Sequence, residues 1–145
     1  MDFIEVYDHA VTARDCQSIV RYFEENKANQ QRGTVGSKAE VNRKKKDTWE
    51  LPGMQFSNMT PIEKVLYEGV VSGTKQYMEK YPAVVGHIAN WNIENRFNLQ
   101  KYNPKCAYWI PHCEQSSRVS GSRMLVWMIY LNTVTDGGGT KFTCY

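Results

Sequence analysis

His112 and Glu114 stand two residues apart, with Pro111 before them and Cys113 between them. Side chains at i and i+2 of an extended segment project from one face, so an imidazole nitrogen and a carboxylate oxygen can aim at a common point. Cys113 then turns the other way. An N,O donor pair of this kind suits iron or a neighbouring first-row divalent ion. A histidine and an acid two apart arise often by chance, so the pair alone is a weak signal. Its surroundings add weight.

Positioning such a pair needs a framework, and the chain that follows supplies candidates. Residues 116–122 are polar, and residues 124–131, MLVWMIYL, are apolar without interruption. The length, the flanking loops and the Val, Ile, Trp and Tyr content predict a strand buried on both faces. Leu125, Trp127, Ile129 and Leu131 form one row and Met124, Val126, Met128 and Tyr130 the other. The Tyr130 hydroxyl needs a partner if it is buried. Asp136, Gly137, Gly138 and Gly139 mark a turn, and residues 140–145 read as the start of a further strand.

In this order (Tyr102, then His112-x-Glu114, Arg123, Tyr130-Leu131-Asn132 and a glycine-rich turn) the chain resembles the Fe(II)/2-oxoglutarate dioxygenases. Within them it is most similar to the prolyl 4-hydroxylase-like branch, which includes bacterial and phage forms. The resemblance implies a double-stranded β-helix, a jelly-roll or cupin-like barrel, with N-terminal helices packed on one sheet. It makes His112 and Glu114 ligands of Fe(II), with glutamate where the family more often has aspartate. It places Tyr102 and Tyr130 on the 2-oxoglutarate pocket and Trp109 at its mouth. The implied reaction couples oxidative decarboxylation of 2-oxoglutarate to succinate with O2-dependent hydroxylation of an unactivated C–H, such as a prolyl residue of a peptide. Ascorbate would serve as reductant. The family's distal histidine falls two or three strands beyond the glycine turn, whereas the sequence ends at Tyr145. The expectation is therefore an incomplete site in a barrel whose C-terminal strands are missing from this chain.

Length and composition frame that reading. At 145 residues the chain predicts one domain, a helical scaffold over about 1–82 and the first part of a barrel core over about 83–145, in an α+β class. Residues 1–11 carry Asp2, Glu5 and Asp8 and do not read as an export signal, and no stretch approaches a membrane span. Cytoplasmic placement (a host cytoplasm for a phage protein) follows, with reduced thiols at Cys16, Cys106, Cys113 and Cys144. A zinc site from Cys106, His112 and Cys113 is a lesser alternative, lacking a second ligand pair. So is nucleic-acid binding through Arg43, Lys44, Lys45 and Lys46, a run that more often forms a solvated loop and here lacks interleaved aromatics. A non-catalytic jelly-roll binding domain is the third.

The N-terminal half reads as support. Phe3, Ile4, Val6 and Tyr7 suggest an opening strand. Thr12 and Asp15 make an imperfect capping box before a helix whose Cys16, Ile19, Val20 and Phe23 form an apolar stripe. Thr60, Pro61 and Glu63 open a second helix, whose face of Ile62, Val65, Leu66, Val70 and Tyr77 is weakened by Gly69 and Gly73 and which stops before Pro82. Trp91, Phe97 and Leu99 lead into the strand expected to carry Tyr102. His9 and His87 read as surface or packing histidines.

Overall fold

Helix α1 (Ala13–Glu25) begins at the expected cap: the Asp15 amide donates to Thr12 Oγ1 at 3.2 Å, and that hydroxyl donates to Asp15 Oδ2 at 2.6 Å. The computed structural model describes residues 3–36, 38–85, 91–115, 117–118 and 120–143. His87 and Cys144 lie outside the described residues. Two compact units divide the chain, one of residues 1–25 and 53–97, the other of residues 26–52 and 98–145. Among the described residues there are three helices and a small antiparallel sheet, an α+β arrangement. Its strands β1 (Gln31–Arg32), β2 (Trp49–Gln55) and β3 (Arg96–Lys101) lie in the order β1-β2-β3, with Gln31 opposite Glu50 and Arg32 opposite Trp49. No described helix is long and apolar enough to cross a membrane.

In the first unit, helix α2 (Pro61–Lys80) has the full capping box: the Glu63 amide donates to Thr60 Oγ1, and the Thr60 amide donates to Glu63 Oε2 at 3.0 Å. Burial works to raise the Glu63 carboxyl, but hydrogen bonds from Thr60 and Asn58 outweigh it and hold the group below its ordinary range. Leu66, Val70 and Tyr77 are buried on the expected face, and Tyr81 ends the helix before the short α3 (Pro82–Val85). Helix α1 buries Ile19 and Phe23 and packs against α2, while Val20 of its predicted stripe is exposed. Its main element contact is thus a helix, where a sheet was expected.

The opening strand does not form. Residues 3–7 pair with side chains of α2 and of its C-cap residue instead: Tyr77 Oη donates to the Phe3 carbonyl at 3.3 Å, Lys80 Nζ meets Glu5 at 2.6 Å, and the Tyr81 hydroxyl also donates to Glu5. Here Gly69 and Gly73 find their reason. A Cβ on Gly69 would sit 2.9 Å from the Ala10 carbonyl oxygen, and one on Gly73 would sit 3.3 Å from the Tyr7 ring. The glycines that weaken α2 as a helix are the places where the N-terminal segment comes close.

The second unit is built around a polar interior. Lys46, Asp47, Thr48 and Glu50 are buried together. Lys46 Nζ and Glu50 Oε1 are 2.6 Å apart with 10% and 7% of their side chains exposed, and Thr48 Oγ1 donates to the same Glu50 oxygen at 2.9 Å. Asp47 binds Arg32 at 2.6 Å and Arg43 at 2.9 Å. Every charge in this interior has an opposite partner, which burial demands. Gly33 is required beside it, since a Cβ there would overlap Thr48 Oγ1 and lie 2.6 Å from Glu50 Oε1.

Two strand expectations fail in this unit. Residues 124–131 form no strand among the described residues, and neither do residues 140–143. A strand is defined by a neighbour's ladder, which apolar content alone does not provide. The alternation survives in part: Trp127, Ile129 and Leu131 are half-buried, but Leu125 of the same row is exposed, and Met124, Val126, Met128 and Tyr130 are 54%, 58%, 53% and 59% exposed. The segment is partly covered on one row, from Trp127 onward, and open on the other. The glycine turn does form, with Gly137 and Gly138 at φ of +76° and +71°.

Candidate functional site

Tyr108 begins the segment that carries the candidate ligands. It bridges Lys46 in antiparallel fashion, fixed by hydrogen bonds from the Asp47 amide to the Ala107 carbonyl and from the Trp109 amide to the Lys45 carbonyl, both 2.9 Å. Beyond it the chain is irregular, so His112 and Glu114 are not on a strand as expected. They meet nonetheless. His112 Nε2 lies 3.5 Å from Glu114 Oε1, with 43% and 44% of the two side chains exposed.

The histidine is oriented by two contacts. Its Nδ1 lies 2.9 Å from the Ile110 carbonyl oxygen, and its ring stacks on Tyr108 with centroids 4.1 Å apart and planes inclined by 20°. A carbonyl only accepts, so Nδ1 donates in that bond and Nε2 is the ring nitrogen that faces Glu114. On the other side, Arg123 Nη1 lies 3.5 Å from Glu114 Oε2. The loop between is closed by Gln115, whose Nε2 donates to the Arg123 and Gly121 carbonyls, and by the reciprocal hydrogen bonds of Ser117 and Ser120.

These donors fit one divalent ion. Two atoms each about 2.1 Å from a metal stand about 3.0 Å apart at an octahedral right angle and about 3.4 Å apart at the tetrahedral angle. The observed 3.5 Å needs only a small closure. Among the described residues no third His, Cys, Asp or Glu completes a metal-binding group, and Cys106, His112 and Cys113 do not gather into one. Cys16, Cys106 and Cys113 are free thiols.

The other predicted residues are placed unevenly. Tyr102 follows directly after β3 and donates to Gln100 Oε1 at 3.2 Å. Its hydroxyl is pushed up to about 12, first by burial and then by the Glu50 carboxylate and Tyr108. The residue keeps 41% of its surface exposed. Tyr130 is exposed, its hydroxyl 2.6 Å from Thr140 Oγ1, and no contact among the described residues joins it to His112. Trp109 is half-exposed and is held through its backbone.

The basic run is divided. Arg43 is spent on Asp47 and Lys46 is buried on Glu50, so two of four cations serve the interior and only Lys44 and Lys45 remain as solvated charges. Sequence reasoning missed this interior. The i,i+4 spacings of Arg43 with Asp47 and Lys46 with Glu50 were the available signal. It also missed Tyr108. A groove of about 390 Å³ lined by Tyr108, Ile110, Lys38, Glu40 and Lys45, among others, shares with His112 the two residues that orient it. Comparison with known protein families, curated proteins and solved structures finds no match.

Proposed function

We propose that the chain carries the first two ligands of an Fe(II)- and 2-oxoglutarate-dependent dioxygenase site of the prolyl 4-hydroxylase type, within a jelly-roll-like core. The observation that carries the proposal is the meeting of His112 Nε2 and Glu114 Oε1 at 3.5 Å, with Nδ1 of the same ring on the Ile110 carbonyl. A metal-ligating histidine ordinarily donates its other ring N–H to a carbonyl or carboxylate, which fixes the tautomer.

In this reading His112 and Glu114 hold the ion, and Arg123 steadies the second oxygen of Glu114 so that the first stays directed at the metal. Bound there, iron would supply the redox chemistry that links decarboxylation of 2-oxoglutarate to oxidation of a C–H bond. Tyr102 and Tyr130 are assigned to 2-oxoglutarate, and Trp109 to the mouth. With its hydroxyl group held protonated by burial and by Glu50, Tyr102 is a hydrogen-bond donor suited to a carboxylate. The groove beside His112 is the approach assigned to a peptide substrate. Ascorbate is the reductant and the cytoplasm the compartment, in keeping with the free thiols.

Succinate formation dependent on Fe(II) and 2-oxoglutarate tests the proposal without knowledge of the prime substrate. Activity that disappears in His112→Ala and in Glu114→Ala is the expected result. Equal activity in both variants, or a Co(II) spectrum that neither substitution alters, overturns it.

A further inference from the structure

We infer that Tyr108 is a positioning residue of the His112–Glu114 site, held in place by the buried Lys46–Glu50 pair. The inference rests on the metal-site reading above and adds to it the part that sets the ligand's angle. A histidine hydrogen-bonded through Nδ1 alone can still swing about that bond, carrying Nε2 away from its partner. A flat surface against one face of the ring removes that freedom. Tyr108 provides it, with centroids 4.1 Å apart and the rings within 20° of parallel.

Tyr108 is itself fixed from two directions. Its backbone is bridged to Lys46 by the flanking hydrogen bonds of Asp47 and Trp109. Its ring lies 5.3 Å from Lys46 Nζ, a cation kept from moving by its 2.6 Å contact with Glu50. Glu50 in turn accepts from Thr48, which is 1% exposed. The path from the buried interior to the candidate ligand is therefore continuous: Glu50, Lys46, Tyr108, His112. The phenol ring also favours a metal-bound imidazole electronically, since coordination leaves that ring partly positive and an aromatic face attracts positive charge.

Co(II) titration of the full chain, followed by visible absorption, separates this role from simple packing. Partners that orient metal-ligating histidines contribute about 10- to 100-fold in affinity, so Tyr108→Leu should bind about tenfold more weakly and Tyr108→Phe within about twofold of the parent chain. Thermal unfolding of each variant runs alongside. Tyr108→Thr, β-branched and suited to an extended position, replaces the Leu variant if that one unfolds. Unchanged Co(II) affinity in the truncated chain, or an equal loss in Tyr108→Phe, overturns the inference. So does unfolding of both truncations, which would make the ring part of the scaffold only.

If the parent chain binds no Co(II), the metal-site reading fails and the positioning role is read from the ring itself. Nuclear Overhauser contacts between the His112 ring protons and the Glu114 side chain should then be equal in the parent and in Tyr108→Phe and weaker in Tyr108→Leu. Equal contacts in all three would overturn it.

Discussion

Gly33 and Gly36 sit three residues apart and differ in what holds them, so they test the polar interior directly. Gly33 has no room for a Cβ beside Thr48 and Glu50, whereas Gly36 faces open space and is constrained only by its φ of +70°. Gly36→Ala should therefore lose only the modest energy of a left-handed residue, about 1–2 kcal/mol. Gly33→Ala should lose more, because the overlap itself is worth about 1–3 kcal/mol and it also pushes apart a buried ion pair. Urea denaturation of the two variants reads the difference, and equal losses would contradict the packing described. Asp47 gives a pH signature. Hydrogen bonds from Arg43 lower its carboxyl below the ordinary value near 3.8, helped by Arg32 and opposed by burial. Its folded value lies below its unfolded one, so its contribution is complete above about 3.8 and disappears as pH falls through the folded value. The stability gap between the parent and Asp47→Asn should be constant from neutral pH down to about pH 5 and shrink below about pH 4. A gap that stays constant down to pH 2 would mean the ion pairs are not formed. At this scale the ligand pair was legible because histidine and acid are near in sequence. The partners were not: a run of cations reads as solvent-facing until acids from the next four residues fold onto it, and Tyr108 becomes an orienting surface only once the His112 ring folds back onto it.

Helix α2 shows where local chemistry suffices and where it does not. Thr60, Pro61 and Glu63 act on one another within a single turn, so the start of the helix was readable from spacing. The same holds for Thr12 and Asp15 at α1. Residues 3–7 and 124–131 were misread for the opposite reason, since apolar content permits a strand but only a distant neighbour makes one. Gly69 carries both lessons. By helix propensity Gly69→Ala should stabilise α2 by about 1 kcal/mol. By the contact with residue 10 it should do the reverse, since the new methyl would stand 2.9 Å from the Ala10 carbonyl oxygen, a rigid backbone atom. The contact wins in our account, and the expected outcome is a lower melting temperature. Gly73→Ala meets only the Tyr7 ring, at 3.3 Å, and should be milder. Thermal melts of the pair decide it: a stabilised Gly69→Ala would show that the N-terminal segment does not rest on α2.

For the molecule in solution, the exposed row of residues 124–131 weighs more than any single site. From Met124 to Thr135 there is no Asp, Glu, Lys or Arg, and Met124, Val126, Met128 and Tyr130 each present more than half of their surface to water. Scattered exposed apolar residues need no explanation, but a run of them close in sequence is an association surface. An uncharged, Pro-free segment rich in β-formers is also the type that pairs strand to strand, and no charge flanks its centre to prevent this. Burying about 400 Å² of apolar surface between two copies would contribute on the order of 10 kcal/mol before the entropy of association, which consumes about half or more of it. That leaves a weak, concentration-dependent self-association, opposed only modestly by a formal charge of +3. Sedimentation velocity should accordingly show a mean mass near 16.8 kDa at low micromolar concentration that rises with loading. Val126→Lys with Met128→Lys places two cations on the exposed row and leaves Trp127, Ile129 and Leu131 untouched, so the doubly substituted chain should stay at the monomer mass throughout. A parent chain that is monomeric at every concentration would mean the row is covered in solution, and the strand expected from the sequence would then regain its case.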